Sequence, residues 1–123
     1  LNVDFAPTVL DFAGIPIPAS MQGKSLRPML EGRSPGEWRR TMYYAYHESP
    51  EMSGHRVPRH RGIRGGRFKL IKYLGVGDDW ELFDLEADPN ELRNLYGRPA
   101  YREITASLKA ELNRLRIQYR DNL

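Results

Sequence analysis

His47 and His60 flank an aperiodic stretch, residues 48–58, that carries Pro, Gly and Ser, His55 lies within it, and these are the three histidines of the 123-residue chain. Imidazoles at the ends of such a loop are able to bind a metal, relay a proton or hold an anion. Their spacings of eight and five residues match no compact His-metal pattern, so solvated or hydrogen-bonded histidine is the plainer reading. Asp78 and Asp79 precede a β-compatible run and resemble a cation site only as far as any acidic turn does. With no cysteine, the chain has no disulfide, thiolate ligand or cysteine nucleophile, and redox usage says nothing about its compartment. A Gly-x-Ser-x-Gly elbow, a phosphate-binding glycine loop and a zinc-type His pair are all missing from the sequence. These residues do not assemble a self-contained active site.

Charge is the stronger signal. The net charge is +3, but it is blocky: Met52 to Gly77 holds seven cations and no acid, and Tyr73 to Leu92 holds seven acids and no cation. The basic ribbon "HRGIRGGRFKLIKY", His60 to Tyr73, has Arg and Lys alternating with Phe68 and Tyr73, a pattern that suits polyanion binding. The competing reading places it against the acidic run "DDWELFDLE", Asp78 to Glu86, so that the blocks cancel across a sheet. Arg61 and Arg64, beside the loop, are then the cations least neutralised, and guanidinium groups match sulfate as well as phosphate.

The elements that position these residues follow from periodicity and punctuation. Asp4 to Ala13 predicts a short helix, with Pro7 in its first turn and Gly14 ending it. "GKSLRPMLEG" offers Ser25 as a cap and Leu26, Met29 and Leu30 as a one-turn anchor. "TMYYAYH" reads as a strand, Gly65-Gly66 as a hairpin turn between two β-compatible runs, and "WELFDLE" as a further strand. Tyr101, Ile104, Leu108, Leu112, Leu115 and Tyr119 draw one apolar stripe on a long C-terminal helix. The expected fold is α+β: a small antiparallel sheet of about four strands packed against that helix, preceded by a short helix. The chain divides at the linker "GRSPGE" into 1–37 and 38–123.

Four motifs, in order, resemble the C-terminal region of the formylglycine-dependent (type I) sulfatases, similar to the N-sulphoglucosamine sulphohydrolase and arylsulfatase C-terminal region. "VDFAPTVLDFAGIPIP" resembles the Asp-x-x-Pro-Thr-Leu helix that closes their catalytic domain, and "MQGKSLRPMLEG" their Gly-x-Ser-Leu-x-Pro-Leu-Leu anchor. "RHRGIRGGRFKLI" is similar to their Arg-x-x-turn-Arg-Tyr-Lys hairpin, and "WELFDLEADPNELRNLYG" to their Glu-Leu-Tyr-Asp-Leu-x-x-Asp-Pro-x-Glu-x-x-Asn-Leu signature. Phe68 and Phe83 stand where the family has Tyr, and Gly65-Gly66 replaces a polar turn pair.

The resemblance implies the C-terminal subdomain of an alkaline-phosphatase-like sulfatase, a sulfuric ester hydrolase of sulfated glycans. Residues 1–37 would be the end of the catalytic domain and 38–123 the C-terminal subdomain. The family nucleophile, a formylglycine made from Cys or Ser in a Cys/Ser-x-Pro-Ser-Arg motif, and the calcium ligands lie upstream of the match; no such motif occurs here. This chain is therefore expected to hold no cofactor or metal and to be inactive alone, giving structural support and part of the substrate-pocket rim. The rim candidates are His60, Arg61, His55, Arg56 and Arg64. Expected partners are the upstream catalytic domain and a sulfated saccharide, with neither nucleic acid nor membrane. The alternative is a stand-alone polyanion-binding module. The start "LNVDFAPTVL" has no initiator Met and no leader, so the chain reads as part of a longer protein. The resemblance implies a periplasmic or secreted parent. Separation from that parent would expose the apolar surface near Phe5, Leu10 and Phe12, and self-association through the first helix is expected.

Overall fold

The computed structural model describes residues 1–48, 57–75, 77 and 79–122. They form two units, Leu1–Trp38 and Arg39–Leu123. In the first, a 3₁₀ turn leads into α1 (Phe5–Phe12), and an irregular connection leads to the single turn α2 (Arg27–Leu30). Both helices end in the same way. The amide of Ile15 donates to Leu10 and that of Gly14 to Asp11, with Gly14 at φ +68. Arg33 donates likewise to Pro28 and Gly32 to Met29, with Gly32 at φ +75. These are paired carbonyl closures that require a left-handed residue, which glycine adopts without a Cβ penalty.

The motif residues of the first unit hold this pair of helices together. The Asp4 carboxylate is fully buried and accepts the Lys24 amide at 2.9 Å. Thr8 Oγ1 donates to the Asp4 carbonyl and accepts the Leu26 amide at 2.9 Å. Ser25 donates to Asp11 and accepts the Arg27 amide, while Arg27 Nη1 reaches the Asp11 carbonyl at 2.8 Å. One side of α1 is thus committed to the anchor. The apolar stripe Phe5, Val9 and Phe12 occupies the other side and is exposed, Phe5 and Val9 by 64% and 66%.

The second unit is a four-stranded antiparallel meander in the order β1 (Thr41–Tyr46), β2 (His60–Gly65), β3 (Phe68–Tyr73) and β4 (Trp80–Asp84), with α3 (Arg102–Gln118) across one face. Alternation puts Ile63, Leu70 and Leu82 on that face, where all three are fully buried against Leu108, Leu112 and Leu115 of the helix stripe. The register moves the predicted turn by one residue. Gly65 pairs with Phe68, so the loop is Gly66–Arg67, with positive φ at Gly66 only, the requirement of a type II′ hairpin.

The segment after β4 is built by the signature residues. Asp84 accepts the amides of Glu86 and Ala87, Asp88 accepts that of Arg93, and Asn94 Oδ1 accepts those of Leu82 and Tyr96. The Asn94 amide returns a bond to the Trp80 carbonyl, so this side chain extends the ladder along the outer edge of β4.

The acidic and basic strands do lie side by side, but the register does not set charge against charge. Lys69 faces Phe83 and Lys72 faces Trp80. Neutralisation comes instead from the turns. Arg67 Nε binds both oxygens of buried Asp84 at 2.8 and 2.9 Å, and Lys69 pairs with Glu91. The Arg67 guanidinium, with help from the Ala87 and Glu86 amides, holds the Asp84 carboxyl below the usual carboxylate range.

Candidate functional site: two faces of one strand

His60 and Arg61 are adjacent in β2, and a strand turns successive side chains to opposite faces. His60 lies on the face away from α3 among tyrosines of its two neighbouring strands, β1 and β3. Its ring stacks on Tyr46 at 5.6 Å and meets Tyr44 at 5.9 Å and Tyr73 at 5.8 Å. Nδ1 lies 2.9 Å from the Pro58 carbonyl, which only accepts, so Nδ1 carries a proton and Nε2 is the edge left for other contacts. The register that makes Tyr46 and Tyr73 the ladder partners of His60 explains the cluster.

Glycine makes room for it. A Cβ on Gly62 would lie 2.5 Å from the Tyr44 ring and 2.8 Å from the Leu70 carbonyl, so Tyr44 folds over this residue only because it is glycine. Burial, with the charges of Glu91, Tyr73 and Glu81 behind it, pushes the Tyr44 phenol well up, and its buried hydroxyl has no hydrogen-bond partner among the described residues. Tyr73 donates to Glu81 at 2.9 Å; burial first, and that bond second, push its phenol up to about 12. These phenols are therefore neutral at physiological pH and unsuited to acid-base catalysis; with the Tyr44 hydroxyl buried and the Tyr73 hydroxyl given to Glu81, it is their rings that shape the His60 surroundings.

Arg61 lies on the helix face, in line with Ile63, and is 5% exposed. Opposite it in the ladder is Lys72. Both line an open pocket of ≈ 350 Å³ with Trp80 of β4 and with Lys109, Asn113 and Arg116 of α3. Lys109 Nζ sits 4.1 Å above the Trp80 ring and donates to the Tyr96 hydroxyl at 2.6 Å, while Tyr96 stacks on the same indole.

Of the other residues singled out in the sequence, Arg64 is exposed and shares the His60 face two positions along, and His47 is exposed beyond the end of β1. His55 and Arg56 lie outside the described residues. Among the described residues no group of three or more His, Cys, Asp or Glu is placed to hold a metal ion, and the calcium of the sulfatases finds no fitting donor set here. Among the described residues no helix is long and apolar enough to cross a membrane. Tyr73 and Lys72 belong to the basic ribbon singled out in the sequence, whereas Tyr44 and Tyr46 beside His60, and Lys109 and Arg116 beside Arg61, escape a reading of the sequence. Period-two alternation separates His60 from Arg61, but identifying their neighbours requires the strand register and the docking of α3.

Comparison with known proteins gives this architecture a family. The sequence matches the family described as N-sulphoglucosamine sulphohydrolase, C-terminal, over residues 1–118. It is 46% identical over 124 residues to an N-acetylglucosamine-6-O-sulfatase of Bacteroides thetaiotaomicron, covering 99% of this chain and 22% of that protein. It is 35% identical over 112 residues to a Delta 4,5-hexuronate-2-O-sulfatase of the same organism, covering 91% of this chain and 22% of that one. Among solved structures, one in complex with its substrate D-glucosamine-2-N,6-O-disulfate superposes with a TM-score of 0.90 at 46% identity, over 98% of this chain and 24% of the other. The chain thus spans about a fifth of the length of the curated relatives it matches, 22% in each of these two. It belongs to the N-sulphoglucosamine sulphohydrolase C-terminal family, the C-terminal domain of alkaline-phosphatase-like sulfatases.

Proposed function

We propose that this chain serves a longer sulfatase that hydrolyses sulfate esters of glycans, and that the β-sheet face bearing His60 forms part of the rim that fits the saccharide. The observation that carries the reading is the His60 ring set among Tyr44, Tyr46 and Tyr73, at the strand end that follows segment 48–58. Aromatic faces contact sugar rings, and the Nε2 edge of His60 accepts from a sugar hydroxyl or, with both ring nitrogens protonated, donates to an anionic substituent. The relative whose structure holds a disulfated glucosamine, 46% identical to this chain, supports the substrate class. Residues 1–37 then belong to the end of the catalytic domain and 38–123 to the C-terminal subdomain. Formylglycine and calcium would be supplied upstream, because these 123 residues contain no Cys/Ser-x-Pro-Ser-Arg motif. Ester cleavage is accordingly assigned to the rest of the protein, and saccharide fit to this domain.

In the intact parent enzyme, His60→Ala raises KM for a sulfated glucosamine about tenfold, the scale of one lost charge-assisted hydrogen bond, and leaves kcat largely unchanged. KM for a small aryl sulfate stays at the wild-type value. Equal changes with both substrates would assign His60 a structural role and overturn the rim reading.

The outward stripe of α1 is proposed to be covered by the upstream catalytic domain in that parent. Isolated, the chain is expected to bury Phe5, Val9 and Phe12 by self-association, since contiguous exposed apolar surface of this kind drives contact. Sedimentation at rising concentration should show species larger than the monomer, and Phe5→Ser with Val9→Ser should return it to monomer. A monodisperse wild-type monomer removes this proposal.

A further inference from the structure

The pocket formed by Arg61, Lys72, Lys109 and Arg116 is an unusual expenditure of charge in a small domain. Arg61 and Lys72 stand directly opposite each other in the β2–β3 ladder and share the helix face. Lys109, Asn113 and Arg116 recur at intervals of four and three residues, which brings both helix cations to the same side of α3. Among the described residues, the lining contains no carboxylate. Tyr43, whose hydroxyl donates to Asp121, feels both Arg61 and Arg116, so Asp121 offsets part of the positive field from the side.

Arg61 gives the arrangement a direction. Its side chain is 5% exposed, and its buried Nε donates to nothing among the described residues. A guanidinium withdrawn from water with an unmet donor costs stability unless an acceptor reaches it. Lys109 is held in place at the pocket wall by the Trp80 ring and the Tyr96 hydroxyl, so its charge is positioned before any ligand arrives. Trp80 also lines a second pocket, with Asp79, Glu81 and two neighbours of His60, Pro58 and Tyr73.

We infer that the Arg61 pocket binds a sulfate group, either free inorganic sulfate or a sulfate carried on a saccharide. A tetrahedral oxyanion accepts from the planar guanidinium fork and from ammonium groups at once. Sulfate rather than another tetrahedral oxyanion rests on the function proposed above; the preference for an oxyanion rests on the pocket alone.

The test is equilibrium dialysis of the 123-residue chain against radiolabelled inorganic sulfate, with ionic strength fixed by sodium chloride. One saturable sulfate per chain is expected. Arg61→Met abolishes binding. Because that change in a buried residue could also unfold the domain, Lys109→Gln with Arg116→Gln is the second variant: it should keep the wild-type circular dichroism and weaken binding at least about tenfold, the cost of lost charge-assisted hydrogen bonds. No saturable binding above the chloride background, or unchanged affinity in the folded double variant, overturns the site. Displacement of label by sulfated glucosamine at lower concentration than by unlabelled sulfate identifies the pendant group as the ligand, and the reverse order identifies free sulfate. Sulfate binding that persists while His60→Ala leaves the parent's KM unchanged retains this pocket and removes the rim, so the two failures are separable.

Discussion

Leu82→Ala is expected to cost the second unit about 2–5 kcal/mol, the range for a buried leucine whose site cannot collapse. Leu82 is fully buried in the middle of the core, faces Leu70 in the ladder and packs under the Leu108, Leu112 and Leu115 stripe. Relaxation around it is restricted because both of its backbone polar groups are tied to the post-strand segment: its amide donates to Asn94 Oδ1 at 3.0 Å and its carbonyl accepts from Leu95 at 2.8 Å. β4 is an edge strand, and Leu82 is where the post-strand segment is fastened to it, so a cavity here loosens both. For a unit of this size, about 4–8 °C per kcal/mol lowers the thermal midpoint by more than about 8 °C. Leu82→Met, which keeps the volume, should lose less than about 1.5 kcal/mol. Thermal and denaturant unfolding followed by circular dichroism measures both; a loss below about 1 kcal/mol in the alanine variant would mean that the sheet and helix are not one packed core.

That core was legible in the sequence because two different periods point at each other. The helix stripe from Tyr101 to Tyr119 and the alternation through Ile63, Leu70 and Leu82 each define one apolar face, and each has only the other in its unit to cover it. The hairpin was legible in kind, but its turn fell one residue late, because Gly65 pairs with Phe68 and only Gly66 needs positive φ. The cancellation of basic and acidic blocks was legible as a sum and not as contacts, since register decides which side chains meet and it sets Lys69 against Phe83.

The candidate site was less legible for a related reason. Loop proximity grouped His60 with Arg61, whereas strand geometry sends them to opposite faces. The rings around His60 arrive from β1 and β3, and the cations around Arg61 from β3 and α3. No local pattern announces either neighbourhood. The first helix shows the same limit in reverse: its periodicity reveals an apolar stripe, yet the side turned inward is the one carrying Asp4, Thr8 and Asp11. A lone acid at a helix start reads as an ordinary cap, and only the amide of Lys24, twenty residues on, shows that it is a buried fastening.

Gly23→Ala should therefore have the largest effect in the first unit, although the residue lies in an irregular segment and carries no side chain. A Cβ at this position would stand 1.9 Å from the Val3 carbonyl oxygen and 2.6 Å from its carbon. Both are backbone atoms, so no side-chain rotation relieves the overlap and the chain itself must move. The movement separates what the following residues hold. Lys24 loses the Asp4 carboxylate, Leu26 loses Thr8 Oγ1, and Ser25 and Arg27 are drawn from Asp11. Asp4, fully buried, loses one of its donors, which adds to the steric cost. A loss above about 3 kcal/mol is expected, beyond the ordinary range for one substitution. Amide hydrogen exchange reads it locally: Lys24 and Leu26 amides, protected in the wild type, should exchange at least about 100-fold faster, while the amides of β2 and β3 keep their protection. Lys24→Ala is the control, because it is the backbone amide of that exposed residue that binds Asp4, and it should stay within about 0.5 kcal/mol of wild type. Unchanged exchange at Lys24 and Leu26 in the Gly23→Ala chain would show that the close approach to Val3 does not hold the anchor against α1.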